Sequence, residues 1–370
     1  MIEVSKLFKL LKKSGIDFFS GVPDSILKNT KYELEKKNRK QHIVAANEGS
    51  AIASCIGYFL STKKLSCAYM QNSGLGNAIN PLISIAHKKV YSIPILLMIG
   101  WRGSPGTQDE PQHIVKGNIT TKLLKLLNIK YCIINNENDL IKLKELIKFS
   151  KKNNVVVACL IKKDTLLKKD KLKKLKNKFT GISREIFIKK LLQNINRKTN
   201  LISTTGYTSR ELHQIRLKYN LKNGKDFYMV GGMGHSSMVA LGNSIHTNRQ
   251  VICLDGDGSM IMHLGSIGNI GYSAKNNYKH ILLNNFSHES VGGQKTISSN
   301  LDFEKIVIGL GYKKYFYINN EKKINKITKK FIRSKGPSLL EVKIKPGSMY
   351  DLLRPKNLIK IKKKFMLKKN

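Results

Sequence analysis

Three features of this 370-residue chain predict an α/β fold with two doubly wound parallel sheets. Short apolar runs of strand length alternate with helical periodicity along the whole chain, the pattern of parallel βαβ units. A lysine-rich stretch near the middle interrupts the alternation, which then starts again. Two domains of ordinary size are therefore expected, each long enough to bury a core. Each half also carries a glycine-marked turn at a strand end, where open α/β sheets bind ligands.

In chain order, Glu3, Lys6, Lys9 and Lys12 among Val4, Leu7, Phe8, Leu10 and Leu11 predict an amphipathic first helix rather than a signal peptide. Phe18–Ser20, Ile43–Ala46, Leu65–Met70, Ile95–Ile99 and Val155–Ile161 read as strands, with helices such as Ser50–Leu60 and Asp139–Ser150 between them. Lys162 to Lys178 reads as a linker. In the second half Leu201–Thr204, Phe227–Val230, Val251–Leu254, Ile281–Leu283 and Leu339–Lys343 are the strand candidates. The expected organisation is a first domain over 1–165, a linker over 166–180, a second domain over 181–350 and a basic, solvated tail over 351–370.

Composition narrows the class. Five cysteines lie far apart with no Cys-x-x-Cys pair, and four sit in apolar segments, as buried thiols do. A reducing cytoplasm is expected, without disulfides or zinc. The longest apolar run, around Ile93–Ile99, is far short of the roughly 20 residues that span a bilayer. A net charge of +43 raises nucleic-acid binding as a competing function. Most of that charge is lysine spread through every helix and loop, whereas a phosphate-binding stripe needs clustering on one face. Attraction of an anionic substrate is the milder consequence, and neither nucleic acid nor a membrane is an expected partner.

The chemistry concentrates at strand ends. Asp255-Gly256-Asp257-Gly258-Ser259 follows the strand candidate Val251–Leu254, and Asn284-Asn285 follows the apolar run Ile281–Leu283. A carboxylate at a strand tip, the free N–H groups of a following helix and an asparagine oxygen together suit a diphosphate and Mg²⁺. Alone, these would equally be two ordinary βα turns. Glu48 closes a short strand and precedes a helix of small residues. It reads either as a first-turn acid or as a working carboxylate. Gly231-Gly232-Met233-Gly234 alone would be a glycine-rich turn with a core methionine.

Taken in order, Glu48, Gly231–Gly234, Asp257 and Asn284 resemble the signature of thiamine diphosphate (ThDP) enzymes. Further segments narrow the resemblance: Gly21-Val22-Pro23-Asp24-Ser25, Ala45–Gly49, Met70–Asn77, Gly100-Trp101-Arg102-Gly103, Asp109–His113 and Ser290–Gln294. Together they resemble the phosphonopyruvate decarboxylase family from about Gly15 to Pro346, and sulfopyruvate decarboxylases share much of the pattern. The resemblance implies a pyrimidine-binding first domain, a diphosphate-binding second domain and no middle domain. It makes Glu48 the partner of the aminopyrimidine N1′, the Gly231 carbonyl the partner of the 4′-amino group and Met233 the wedge that bends the cofactor. Gly234, Gly256, Gly258 and Ser259 would complete the cofactor site. Asp257, Asn284 and the main-chain carbonyl of Phe286 would hold Mg²⁺. Active sites would lie at the interface of a homodimer or homotetramer.

The implied reaction is decarboxylation of 3-phosphonopyruvate to phosphonoacetaldehyde and CO₂ in phosphonate biosynthesis. Sulfopyruvate or another 2-oxo acid is the alternative substrate. Asp24 and His113 suit proton transfer, although either could be a loop cap. Arg102, with a fork that binds two oxygens at once, is the candidate for the substrate's anionic group. Ser25 and Lys295 are expected to assist it. Asn72, with Gln71 and Ser73, would bind cofactor or substrate. Three positions depart from the family pattern: Phe286 replaces a glycine, Lys295 a proline and Glu289 an aspartate. Phe286 would be strained if its backbone needs positive φ.

Overall fold

The computed structural model describes residues 1–167 and 181–367. It contains two compact units, one comprising Met1–Lys176 with Val291–Gln294, the other Asn177–Ser290 with Lys295–Asn370. Each is built on a six-stranded, all-parallel sheet.

In the first unit the strands are β1 (Phe19–Gly21), β2 (His42–Val44), β3 (Ser66–Gln71), β4 (Ile95–Gly100), β5 (Lys130–Ile134) and β6 (Val157–Ile161). Their spatial order is β2-β1-β3-β4-β6-β5. The second unit has β7 (Asn200–Ser203), β8 (Lys225–Tyr228), β9 (Val251–Gly256), β10 (Tyr278–Asn284), β11 (Lys314–Ile318) and β12 (Ser338–Lys343). Its order, β8-β7-β9-β10-β12-β11, is the same topology repeated. In both sheets the chain reverses direction beside the first strand, creating a crevice between β1 and β3 and another between β7 and β9. Ligands of open α/β sheets bind at such switch points, outside the carboxyl ends of the strands.

Central strands such as β4 and β6 are buried along their whole length, as parallel strands covered on both faces must be. Two apolar clusters flank the first sheet. Leu7, Phe8, Leu11 and Phe19 belong to one, and Ile52, Leu97, Trp101 and Leu124 to the other. A third cluster, with Phe187, Leu212, Ile252, Leu283 and Phe331, fills one side of the second sheet. Each fully buried aliphatic side chain contributes roughly 1.5–3 kcal/mol of burial. Local sequence starts and stops the helices. Asn47 caps Glu48–Thr62 by accepting from the Ser50 N–H at 2.9 Å, and Lys63 ends it in the left-handed region at φ 58°.

The strand candidates are found with ends shifted by a few residues; Phe227–Val230, for example, is Lys225–Tyr228. Within the two six-stranded sheets, two strands lacked a candidate, Lys130–Ile134 and Lys314–Ile318. Both are edge strands that begin on an exposed lysine and bury fully only their last residue, so neither reads as an apolar run. Leu166–Leu167, at the start of the expected linker, instead pairs in parallel with Ile2–Glu3. The rest of the expected linker, from 168 to 180, lies outside the described residues. Within the expected tail, Leu358–Met366 is helical with no buried residue, and Phe365 approaches Phe227 at 5.7 Å between ring centroids.

Candidate cofactor and active site

In the second unit the glycine turns, the Gly-Asp-Gly segment and the Asn-Asn segment come together at the carboxyl end of the sheet. β9 ends at Gly256, and Asp257 opens the short helix Asp257–Met262. Beside it, Thr204 at the end of β7 meets Ser259, Oγ1 to Oγ at 2.9 Å, and the Gly234 N–H donates to the same Ser259 oxygen at 3.1 Å. The switch point therefore joins three expected segments through one hydroxyl. Gly258 is needed for close approach, because a Cβ there would lie 2.7 Å from Cε1 of His288 and 3.4 Å from the methyl of Met233. Burial depresses the His288 pKa to about 4, leaving a neutral ring against this turn at physiological pH.

The expected metal ligands also converge. Asp257 Oδ2 accepts from Thr296 Oγ1 at 2.5 Å and from Ser298 Oγ at 2.9 Å. Ser298 Oγ also lies 3.2 Å from Asn284 Oδ1, so one hydroxyl links the two ligand candidates. The Phe286 carbonyl accepts from the Thr296 N–H at 3.1 Å. Burial raises the Asp257 pKa, and the Thr296 and Ser298 hydrogen bonds offset only part of that rise. A buried carboxylate short of positive charge, beside an amide oxygen and a carbonyl, is a donor set that fits a hard divalent cation.

Phe286 does adopt positive φ, at 58°. A bulky residue there carries strain of roughly 1–2 kcal/mol that glycine would avoid. The turn is held by the Phe286 N–H donating to Asn284 Oδ1 at 3.2 Å, while the Lys343 ammonium lies 5.6 Å from the ring centroid. Glu289 accepts from Arg184 Nη2 at 2.7 Å and from Asn285 Nδ2 at 2.9 Å, so this glutamate ties the Asn-Asn turn to a buried arginine. Lys295 is exposed on the strand that follows the glycine pair.

In the first unit Glu48 is 6% exposed, and its Oε2 accepts from Asn77 Nδ2 at 2.8 Å. Gly74 leaves the space it occupies: a Cβ there would meet Glu48 Oε1 at 2.2 Å. Lys116 is electrostatically coupled to Glu48, although burial is the larger influence and lowers the lysine pKa.

Asp24 and Gln71 flank the first switch point and join there, Gln71 Nε2 donating to Asp24 Oδ1 at 2.7 Å. The other Asp24 oxygen accepts from the N–H groups of Ile26 at 2.9 Å and Leu27 at 3.1 Å, the contacts of a loop cap. Burial nonetheless raises its pKa, against those hydrogen bonds and the nearby Arg102 charge.

Arg102 and Ser25 meet, Nη1 to Oγ at 3.0 Å. The arginine fork, however, is already engaged. Nε and Nη2 donate to the two oxygens of Asp109 at 2.7 and 2.5 Å. Asn72 is committed as well. Its amide donates to the Arg102 carbonyl at 3.0 Å and to Thr120 at 2.9 Å, and its oxygen accepts from the Arg102 N–H at 3.2 Å. Asn72 thus holds the loop carrying Arg102. His113 lies in the first turn of Pro111–Leu126, and its carbonyl would sit 1.9 Å from a Cβ on Gly103, which has φ 64°.

The reading from sequence missed His288, Thr296 and Ser298; Gly74 and Asn77 entered only inside a motif and Thr204 only as the end of a strand candidate. Asp109 entered only as part of a motif. Hydroxyls and small residues of this kind carry no local signal; only their partners, far away in sequence, mark them. Among the described residues no helix is long and apolar enough to cross a membrane.

Comparisons with known proteins identify the family. The model of the thiamine pyrophosphate enzyme N-terminal TPP-binding domain matches residues 4–126, and that of the C-terminal TPP-binding domain matches residues 204–342. A phosphonopyruvate decarboxylase of Streptomyces viridochromogenes is 33% identical over 96% of this chain and 92% of its own length. One from Streptomyces hygroscopicus is 31% identical over 96% and 91%. A sulfopyruvate decarboxylase of Methanosarcina acetivorans is 25% identical over 93% of this chain and 91% of its own. With both cofactor-domain models matched in order and near-full-length relatives, the chain belongs to the family of thiamine diphosphate-dependent decarboxylases that includes the phosphonopyruvate decarboxylases.

Proposed function

We propose that the chain is a ThDP- and Mg²⁺-dependent decarboxylase of 3-phosphonopyruvate, releasing phosphonoacetaldehyde and CO₂ in phosphonate biosynthesis. One observation carries the choice of substrate. The two phosphonopyruvate decarboxylases match both domains in one chain at 33% and 31% identity, against 25% for the single-chain sulfopyruvate decarboxylase. Phosphonate offers a dianion and sulfonate a monoanion, so a basic pocket rewards the former. An extra charge-assisted hydrogen bond is worth about 1.5–3 kcal/mol.

ThDP supplies the electron sink that a 2-oxo acid needs to lose CO₂. The protein's own residues bind and position. Glu48, held by Asn77, presents a buried carboxylate to the aminopyrimidine. Gly231, Met233, Gly234, Gly256, Gly258 and Ser259 shape the cofactor seat. Asp257, Asn284 and the Phe286 carbonyl hold Mg²⁺. Arg102 with Ser25 receives the anionic group, Asp109 sharing or yielding the guanidinium as it arrives, and Lys295 adds positive charge. Asp24 and His113 move protons, and burial of Asp24 raises its pKa, favouring the protonated form. The working assembly is a homodimer or homotetramer in the cytoplasm, with each active site shared between subunits.

The test is kcat/KM for phosphonopyruvate, sulfopyruvate and pyruvate with ThDP and Mg²⁺ present. Phosphonopyruvate is expected to lead. A lead for sulfopyruvate transfers the assignment to that substrate, and a lead for pyruvate refutes the anion pocket around Arg102.

A further inference from the structure

We infer that Glu341 is a positioning residue that decides which end of the Asn284 amide faces the metal position, and that Tyr315 holds Glu341 for this purpose. The inference rests on the proposed Mg²⁺ site.

Glu341 pairs across the sheet with Leu282, and Asn284 follows two residues later on the same strand, so both side chains leave the same face. An asparagine amide is nearly symmetric in shape but not in charge, because one end accepts and the other donates. Glu341 Oε1 accepts from Asn284 Nδ2 at 2.8 Å, and Oε2 accepts from the Tyr315 hydroxyl at 2.7 Å. Burial and then the Glu341 contact hold the Tyr315 phenol above its ordinary pKa, which keeps it a donor.

A flipped Asn284 would set oxygen against oxygen at Glu341. It would also turn its NH₂ towards the Phe286 N–H, which now donates to Oδ1 at 3.2 Å. Both ends of the amide therefore oppose the flip. Glu341 is 8% exposed and Asn284 1%, so bulk water is not at hand to replace the lost acceptor. The unflipped amide presents its oxygen beside Ser298 and Asp257, where a hard cation requires oxygen. Partners of this kind, one bond removed from the metal, typically change metal affinity when altered.

Calorimetric titration of Mg²⁺ into protein with saturating ThDP tests this. Glu341→Met removes the acceptor at similar length and is expected to weaken Mg²⁺ binding about 10–100-fold. Glu341→Gln can still accept from Asn284 and should fall closer to the parent than to the methionine variant. Binding by Glu341→Met equal to the parent would overturn the inference. Should that variant not fold, Asn284→Asp supplies a second measurement. Combined with Glu341→Gln, which exchanges donor and acceptor across the contact, it should bind Mg²⁺ more tightly than Asn284→Asp alone; equal or weaker binding overturns the inference. Absence of Mg²⁺ binding by the parent itself would instead reject the metal site, and this inference with it.

Discussion

Gly74→Ala separates catalytic positioning from stability in a single methyl group. Gly74 has φ −79° and ψ −11°, an ordinary right-handed conformation open to alanine. The backbone therefore does not require glycine, and alanine would restrict the unfolded chain by about 0.4–1 kcal/mol, offsetting part of what crowding costs the folded one. The side chain of Glu48 is what requires it. The new Cβ would lie 2.2 Å from Glu48 Oε1 and 2.4 Å from both Cδ and Cγ, whereas ordinary contact begins at 3.4 Å. The glutamate must move by about 1 Å or more and strains its 2.8 Å hydrogen bond from Asn77. A displacement of that size at a reacting group costs about 100-fold in rate, or roughly 2.7 kcal/mol of barrier. The assay is CO₂ release under saturating ThDP and Mg²⁺, with the unfolding midpoint measured alongside. The expected result is a kcat near one hundredth of the parent with a midpoint lowered by no more than one overpacked methyl costs, about 1–3 kcal/mol. Parent-like kcat, or a collapse of the midpoint, would refute the reasoning.

Other outcomes follow from the same geometry. Glu48→Gln should keep Mg²⁺-dependent ThDP binding and lose nearly all turnover, while Asp257→Ala should lose the binding. Mixing the two inactive variants after demonstrated subunit exchange should restore activity, and no rescue would count against a shared site. Arg184 is 5% exposed and bonded to both Glu211 and Glu289. Arg184→Met strands two carboxylates and should cost about 3–5 kcal/mol in denaturant unfolding. Burial tends to raise the Asp109 pKa, but the Arg102 hydrogen bond and charge bring it below the ordinary carboxylate value. That pair stabilises the fold above pH 3.8, the unperturbed value, and the stabilisation is lost as pH falls below it. Asp109→Asn should therefore lower the melting temperature at pH 7 and narrow its gap from the parent in more acidic buffer; a constant gap would show no linkage.

The sequence by itself determined the parallel α/β class, the repeat of that pattern in a second half and the cofactor family. These were legible because they rest on local pattern. Strand-length apolar runs mark the sheet centres, and the segments proposed for the diphosphate and the cation, with Asp257, Asn284 and Gly231–Gly234, follow strand candidates directly. The positive φ of Phe286 was likewise posed by the chain itself, since a phenylalanine stands where the family has glycine. Tertiary structure alone decided the edge strands β5 and β11, whose half-exposed faces dilute the apolar signal. It alone showed that Asp109 grips the fork of Arg102, that Asn72 holds a loop rather than presenting a free amide, and that Ser298 links Asp257 to Asn284. Asn284 and Glu341 stand 57 positions apart in the chain and 2.8 Å apart in space. No local periodicity encodes such a pair, because it is the packing of whole strands that sets which side chains meet.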